Sequence, residues 1–446
     1  ACHYDDLGIL TPKFDNVETL YNTWLGELDE CITMLQTSDL DKNARQDAVY
    51  GCDWTKWARL ANSLKLKIAV RLLAQNKAKA MEIATEAVNN SAGLIIAPEH
   101  SFLFCKATNV NSGNSDYEYG TGNGLTNVAA SSDVLDFMLA SKDPRVRFIY
   151  TKNGFNSKVV QSFMDNKKFY ALPSQVKKNV IYKVTEDKDT IFLRWGGMGE
   201  PWVRYTSLLN TYNAKAEYEA KRLDPEIYNE YFNPGLRYQI KMGDNVRSYT
   251  IASYYNNEMR KGRDGYQVPT AMTKEPDGSI NMHVIQDTDP HPLWCMYMGA
   301  GEVQLYLAEF ALLNGGTIGS YIAEDCYYAG VRASVEDFNT LAAKNQIPYY
   351  GTTYNYDPEE KQIDLVAGEI EAMLATDNVK FTGTNEEKFE KIYLQMMMHF
   401  SEQPDDQYIT ARRTGYPKIG SKLIPWREFV NPTAVPRRYV INKPTE

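Results

Sequence analysis

The sequence predicts a mostly α-helical protein, with helical hairpins at both ends of the chain and a loop-rich region containing short strands between them. Three observations carry this. On a helical wheel, Trp54 to Leu73 (WTKWARLANSLKLKIAVRLL) puts Lys56, Arg59, Ser63, Lys67 and Arg71 on one narrow polar strip and apolar residues almost everywhere else. Lys77 to Asn90 follows directly, with Ala80, Ala84 and Ala87 on one face. Small residues at those steps let two helices approach closely as an antiparallel hairpin. Helical periodicity then weakens and returns at Gly299, where Glu302 to Leu313 is apolar nearly all round.

Taken in order, Tyr4 to Asn16 reads as loop, broken by Gly8, Pro12 and Asp15. Asp15 or Asn16 caps a helix with apolar positions Val17, Leu20, Tyr21, Trp24, Leu25, Leu28, Ile32 and Leu35. The wide apolar arc of 54–73 needs neighbours on two sides, which makes it an inner helix with Leu64 in the core and Trp54 and Trp57 as packing rings. Residues 91–126 read as loop with one short strand, Ser101 to Cys105. A helix from Ser131 to Ala140 stops before Asp143-Pro144, because proline disfavours helix in the residue before it. The middle, Val146 to His291, is irregular and aromatic, with strands at Val180 to Val184 and Ile191 to Trp195 and a helix near Leu208 to Lys221. After Leu313 the linker NGGTIG leads to a helix from Ser320 to about Val331. Its Ala323-x3-Tyr327-x2-Gly330 is close to the small–aromatic–small spacing of a tetratricopeptide (TPR) repeat, without a strict 34-residue period. A tyrosine-rich loop (345–360), helices Lys361 to Leu374 and Asn385 to Phe400, and a Pro- and Arg-rich coil complete the chain.

The totals exclude several classes. A length of 446 residues implies two subdomains or a repeat array. A net charge of −9 argues against nucleic acid and anionic membrane surfaces as partners. No apolar run approaches the ~18 residues of a membrane span. The six cysteines (Cys2, Cys31, Cys52, Cys105, Cys295, Cys326) show no CxxC or CxC spacing, so they read as buried free thiols, with one bridge left open. The chain starts at Ala1 with no charged-then-apolar leader, which reads as a processed or truncated form.

Motifs spread along the chain carry a family resemblance. Trp57-x4-Asn62-Ser63-Leu64-Lys65-Leu66-Lys67 with Arg71-Leu72 resembles the helix signature of the SusD/RagB-like outer-membrane lipoproteins of Bacteroidetes. Asp143-Pro144-Arg145, Gly301-Glu302-Val303 through Ala308-Glu309, Gly330-Val331-Arg332-Ala333-Ser334, Arg412-Arg413-Thr414-Gly415-Tyr416-Pro417 and Pro436-Arg437-Arg438 are similar to later landmarks of that family, in the same order. The resemblance implies a SusD-like fold of TPR-like hairpins as one domain over 1–446, with hairpin regions near 16–90 and 299–403 and a variable ligand-binding subdomain near 100–298. It also implies a surface lipoprotein that captures nutrients and sits as a lid on a SusC-like TonB-dependent transporter. Thr11-Pro12-Lys13-Phe14-Asp15 is similar to a landmark found well inside family members. By that resemblance a leader, a lipidated cysteine and early helices precede this sequence, Cys2 is not the anchor, and the membrane is touched only through that N-terminal lipid.

Catalytic motifs are scarce. His3, His100, His283, His291 and His399 form neither HExxH nor HxH, Asp287-Thr288-Asp289 lacks the glycine and distal glutamate of an EF-hand, and Gly120, Gly122 and Gly124 do not complete a phosphate loop. No cofactor or metal is expected. Arg412-Arg413 has two readings, an anion clamp or a structural tie to acidic helix ends. The positive signal is aromatic. Trp195-Gly196-Gly197-Met198-Gly199-Glu200-Pro201-Trp202 sets two indoles on a glycine-rich stretch, and Trp294 lies in another apparent loop. Sugars offer flat C–H faces ringed by hydroxyls, which proteins bind by stacking aromatics and adding a few polar groups. Trp195, Trp202 and Trp294 are therefore the first candidate ligand contacts, ahead of Trp54 and Trp57, followed by Tyr349, Tyr350 and Tyr354 and then by Tyr117, Tyr119 and Tyr266. The alternative for each is an ordinary core ring. The expected function is non-catalytic glycan capture; a peptide-binding uptake protein of the same family and an all-α glycoside hydrolase are the alternatives.

Overall fold

A computed structural model describes residues 15–37, 46–108, 129–207, 238–259, 266–268, 270–282, 285–287, 291–354, 356–418 and 420–424. Asn16 opens helix α1 (Val17–Thr37), its side chain accepting from the Glu18 N–H at 2.8 Å. Asp53 caps α2 (Trp54–Leu72) through the N–H groups of Thr55 and Lys56, and Asn76 caps α3 (Lys77–Asn89) through Lys79 N–H. The alanine face of α3 is buried, giving the expected hairpin. Further along run α4 (Ser132–Ala140), α5 (Val146–Ile149), α6 (Ser157–Asp165), α7 (Ser174–Lys177), α8 (Ala300–Leu313), α9 (Ala323–Lys344), α10 (Glu369–Leu374), α11 (Asn385–His399) and α12 (Pro404–Thr414).

The strands pair two by two. β1 (Phe102–Ala107) pairs antiparallel with β10 (Leu293–Met298), and β2 (Val180–Val184) with β3 (Thr190–Trp195). β4 (Gln239–Met242) pairs with β5 (Asn245–Ser248), β6 (Tyr266–Val268) with β9 (Ile285–Asp287), and β7 (Thr273–Lys274) with β8 (Ile280–Asn281). A last pair, β11 (Thr317–Ile318) with β12 (Tyr321–Ile322), closes the NGGTIG turn. The fold is mostly α, with these ribbons concentrated in the middle of the chain.

The most enclosed element is α8, buried from Ala300 through Leu312. It meets α9 at two glycines. A Cβ on Gly301 would stand 2.7 Å from Ser334 Cα, and one on Gly330 would stand 2.9 Å from Leu305 Cγ. That contact also carries α9 on to Lys344, past the expected end near Val331. α2 packs against α1, α3 and α8, but the sector it leaves open corrects the wheel. Leu64 is 36% exposed rather than in the core. The polar strip meanwhile turns inward. Ser63 accepts from Ile95 N–H at 2.9 Å, Lys67 bridges Glu302 (2.8 Å) and Asp406 (2.7 Å), and Arg71 holds Asp406 at 2.8 Å.

The same kind of bond closes the other helix seams. Arg145 binds Asp143, the Ser334 hydroxyl (2.8 Å) and Gln395 (2.6 Å). Arg413 grips Glu309 with both terminal nitrogens, at 2.5 and 2.9 Å, which selects the structural reading of that arginine. Five residues of the motifs singled out above, Lys67, Arg71, Glu302, Glu309 and Arg413, thus take part in ion pairs between helices.

Other expectations need correction. The stretch after residue 403 is not coil: Pro404 and left-handed Gly415 start and stop α12, the usual placing of proline and glycine at helix ends. Residues 361–368 are not helical, since Ile363 N–H bonds to Tyr349 O and Leu365 N–H to Asn339. Cys31, Cys105, Cys295 and Cys326 are free thiols, but only Cys326 is buried as expected; Cys105 and Cys295 are half-buried and Cys31 is exposed. The expected helix at 208–221, Tyr117, Tyr119, Asp289 and the Pro436-Arg437-Arg438 landmark lie outside the described residues, and of Tyr266 only the backbone is described.

Candidate functional site

The stretch from Trp195 to Trp202 is part strand end and part turn. Gly197 and Gly199 sit at φ +58° and +74°, a region open to glycine, which folds the chain tightly enough for Gly199 N–H to reach Gly196 O at 3.0 Å. Gly196 N–H ties the turn to Asn179 O at 2.7 Å, and Val203 N–H bonds to Gly199 O at 3.1 Å. Beneath it Glu200 is buried with Lys152 (2.9 Å) and Arg204 (3.3 Å), and takes Lys361 N–H at 2.8 Å. Burial pulls the Lys152 pKa down and Glu200 works against that. Burial likewise pushes the neighbouring Glu360 carboxyl up. This charged cluster anchors the turn and fixes where Trp202 stands.

Trp202 lines a cleft of about 450 Å³. One wall is α4, which presents Ser132, Leu135, Asp136 and Leu139, the i, i+3, i+4, i+7 face of a helix. A second wall is Gln175, Lys178 and Asn179 at the α7 end, and the rim is Gly197, Met198, Val203 and Tyr205 to Ser207. The Trp202 indole is held by Arg147, whose guanidinium lies 5.0 Å from the ring centroid and is itself fixed by Glu369 through two bonds of 2.6 Å. An aromatic ring beside a small set of amide, hydroxyl and charged groups suits an amphipathic, hydroxyl-rich ligand.

The other sequence candidates fall elsewhere. Trp195 is 6% exposed; the end of β3 turns its ring into a core with Phe155, Phe163 and Val203, edge-to-face on Phe192 at 5.2 Å. The glycine-rich stretch begins only after it, so this ring is removed from the surface. Trp294 stands on β10 opposite Cys105, not in a loop, with Lys344 Nζ 4.0 Å above its ring. Tyr349 is buried over Lys152 (Nζ to centroid 4.1 Å) with Tyr354 edge-to-face on it, and Tyr350 donates to Asn339 at 2.9 Å. None of these five lines the cleft. Asp136, Gln175 and Lys178, which line the cleft, went unread as candidates, although the α4 spacing was a usable signal.

A larger hollow, about 890 Å³, lies between α1, the α2–α3 turn and α12. Two of its cations, Arg71 and Arg413, already hold Asp406 and Glu309, and Tyr21 is its aromatic side chain, so it suits a ligand less well. Among the described residues no cluster of His, Cys, Asp and Glu could hold a metal ion.

A sequence model of SusD-like proteins, described as SusD and RagB outer membrane lipoproteins, matches residues 2–192 and 244–425. Among solved structures, the chain is similar to a SusD-like protein of Bacteroidetes AC2a, at 18% identity and TM-score 0.53, covering 96% of this chain and 71% of that one. It is also similar to two SusD homologues of Bacteroides fragilis NCTC 9343. One gives 19% identity and TM-score 0.53 over 93% of this chain and 66% of that one. The other gives 18% and 0.54 over 96% and 69%. The chain therefore spans 66–71% of the length of these three proteins, and at such identities the likeness is one of fold. No curated protein matches the sequence.

Proposed function

This chain belongs to the SusD and RagB family of outer-membrane lipoproteins, and from that premise we propose that it captures a glycan at the Trp202 cleft and passes it to a SusC-like TonB-dependent transporter. The observation that carries the reading is the cleft itself. A half-buried indole, fixed by Arg147 from the protein side, shares about 450 Å³ with Gln175, Asn179, Thr206 and Ser207. The indole stacks on a sugar's C–H face and the Gln175 and Asn179 side chains bond its ring of OH groups. Because the ring is already held in place, little side-chain freedom is lost on binding. In this reading residues 100–298 are the ligand-binding subdomain, the helices of 16–90 and 299–403 form the frame, and a lipid on the full-length protein holds it at the cell surface. No described helix is long and apolar enough to cross a membrane.

The proposal is binding without turnover. Glycoside hydrolysis needs two carboxyl groups across the scissile bond, and the described lining offers one, Asp136. A glycan array identifies a ligand, and calorimetry measures it on the intact chain and on Trp202→Ala. A central stacking contact is worth ~2 kcal/mol or more, roughly thirtyfold in affinity, with melting temperature nearly unchanged. Undiminished binding by a normally folded Trp202→Ala removes the cleft from the proposal. Capture of peptides instead of glycans removes the ligand class. Chromatography after long incubation is expected to return the ligand intact.

A further inference from the structure

Resting on that glycan-binding reading, we infer that the cleft selects an acidic saccharide, one bearing uronate or sulfate groups. The chain as a whole is strongly acidic at −9, yet residues 157–195 hold eight Lys and Arg against four Asp and Glu. This run contains α6, α7 and the β2–β3 hairpin, and it supplies the Gln175–Lys178–Asn179 wall. The segment that supplies this wall of the Trp202 cleft thus carries charge of the opposite sign to the whole molecule.

These cations are available. Lys158, Lys167, Lys178, Lys183, Lys188 and Arg194 are exposed. Lys167 pairs with Asp189; the other five make no ion pair with a described residue. Lys178 lines the cleft directly, three residues on from Gln175 and so on the same helical face. Arg194 stands across the ladder from Ile181, one pair beyond Val180 and Trp195, where the chain turns into the Gly196–Gly197 rim. The ligand's acidic group is seated against Lys178 while its sugar ring stacks on Trp202. Lys178 at the cleft, with further solvated cations on the same segment, raises the local concentration of anions and speeds their capture. Because they are solvated, salt screens them over a Debye length of about 8 Å at physiological ionic strength.

The test offers the full chain to a printed array of oligosaccharides matched in pairs, each neutral backbone beside its uronate- or sulfate-bearing form, with hits remeasured by calorimetry at low and high salt. The charged member is expected to bind about tenfold more tightly at low salt, with the preference shrinking severalfold as salt screens it. Lys178→Met, on an exposed side chain, should narrow the preference severalfold without lowering the melting temperature. Equal binding of both members, abolished by Trp202→Ala, overturns this inference and leaves glycan capture standing. A charge preference untouched by both Lys178→Met and Trp202→Ala places the anion elsewhere and also overturns it. If no glycan of either kind binds and peptides do, the glycan reading fails and takes this one with it.

Discussion

Replacing Lys67 with Met tests whether the helices are held together by buried ion pairs. Lys67 Nζ sits 2.8 Å from Glu302 and 2.7 Å from Asp406. Asp406 keeps a second cation, Arg71, at 2.8 Å, but Glu302 keeps only the Tyr306 hydroxyl at 2.9 Å and has a second oxygen without a partner. Burial works against the Lys67 ammonium, yet Glu302 and Asp406 outweigh it and hold its pKa above the ordinary value; burial also pushes Glu302 up, with Lys67 opposing. Removing one partner of such a pair typically costs ~3–5 kcal/mol. Protonation of Glu302 limits that loss: at pH 7, neutralising a carboxyl of ordinary pKa 4.5 costs about 3 kcal/mol, at ~1.4 kcal/mol per tenfold. Burial in the mutant raises the folded-state pKa above the unfolded one, so the native state holds a proton that the unfolded chain releases, and the deficit grows as pH rises from about 4.5. Urea unfolding followed by circular dichroism should show a loss of ~2–3 kcal/mol at pH 7 and about 1 kcal/mol at pH 5. The double mutant Lys67→Met/Glu302→Gln should lose most of that pH dependence. Equal losses for the single mutant at both pH values, or a double mutant as pH-sensitive as the single, would refute the reasoning.

Three further outcomes are expected. Leu66→Ala should cost ~2–5 kcal/mol because the side chain is wholly buried; Leu64→Ala should stay within ~0.5 kcal/mol, and reversed values in chemical denaturation would mean that α2 is rotated. Trp195→Ala should lower stability by ~3–5 kcal/mol while the residual folded fraction keeps its ligand affinity, the opposite of Trp202→Ala. Burial pushes Asp337 up to about 7, against the Ser101 hydroxyl and Gly301 N–H that bond it; its native state holds the extra proton between the unfolded value of 3.8 and about 7, so it lowers stability as pH rises through that window. Asp337→Asn should flatten the stability profile there, and an unchanged slope measured by thermal melts at several pH values would assign it to another group.

Much of the helical frame was legible because its signals are local. The polar strip of α2, the alanine face of α3, the cap at Asn16 and the strands β2 and β3 each depend on residues within a few positions of one another. The order of motifs along the chain was enough to indicate the family, and their chemistry, Lys67, Arg71, Asp143, Arg145, Glu302, Glu309 and Arg413, proved to be that of the helix seams. One residue of the candidate cleft, Trp202, was reached from its local sequence alone, as an indole beside glycines.

What only the tertiary structure decided is which side of each element faces what. Periodicity gives a helix its faces but not its neighbours, so Leu64 and Lys67 exchanged their expected surroundings once Glu302 and Asp406 arrived from residues more than 200 positions away. β10 was read as a loop because its partner strand, β1, lies in a distant part of the chain. Trp195 and Trp202 stand seven residues apart on one stretch, yet the first closes a core and the second lines a cleft whose walls come from α4 and the end of α7. A sequence lists aromatic rings without their surroundings. Burial is set by the segments that fold against them, and those meet only when the chain has closed.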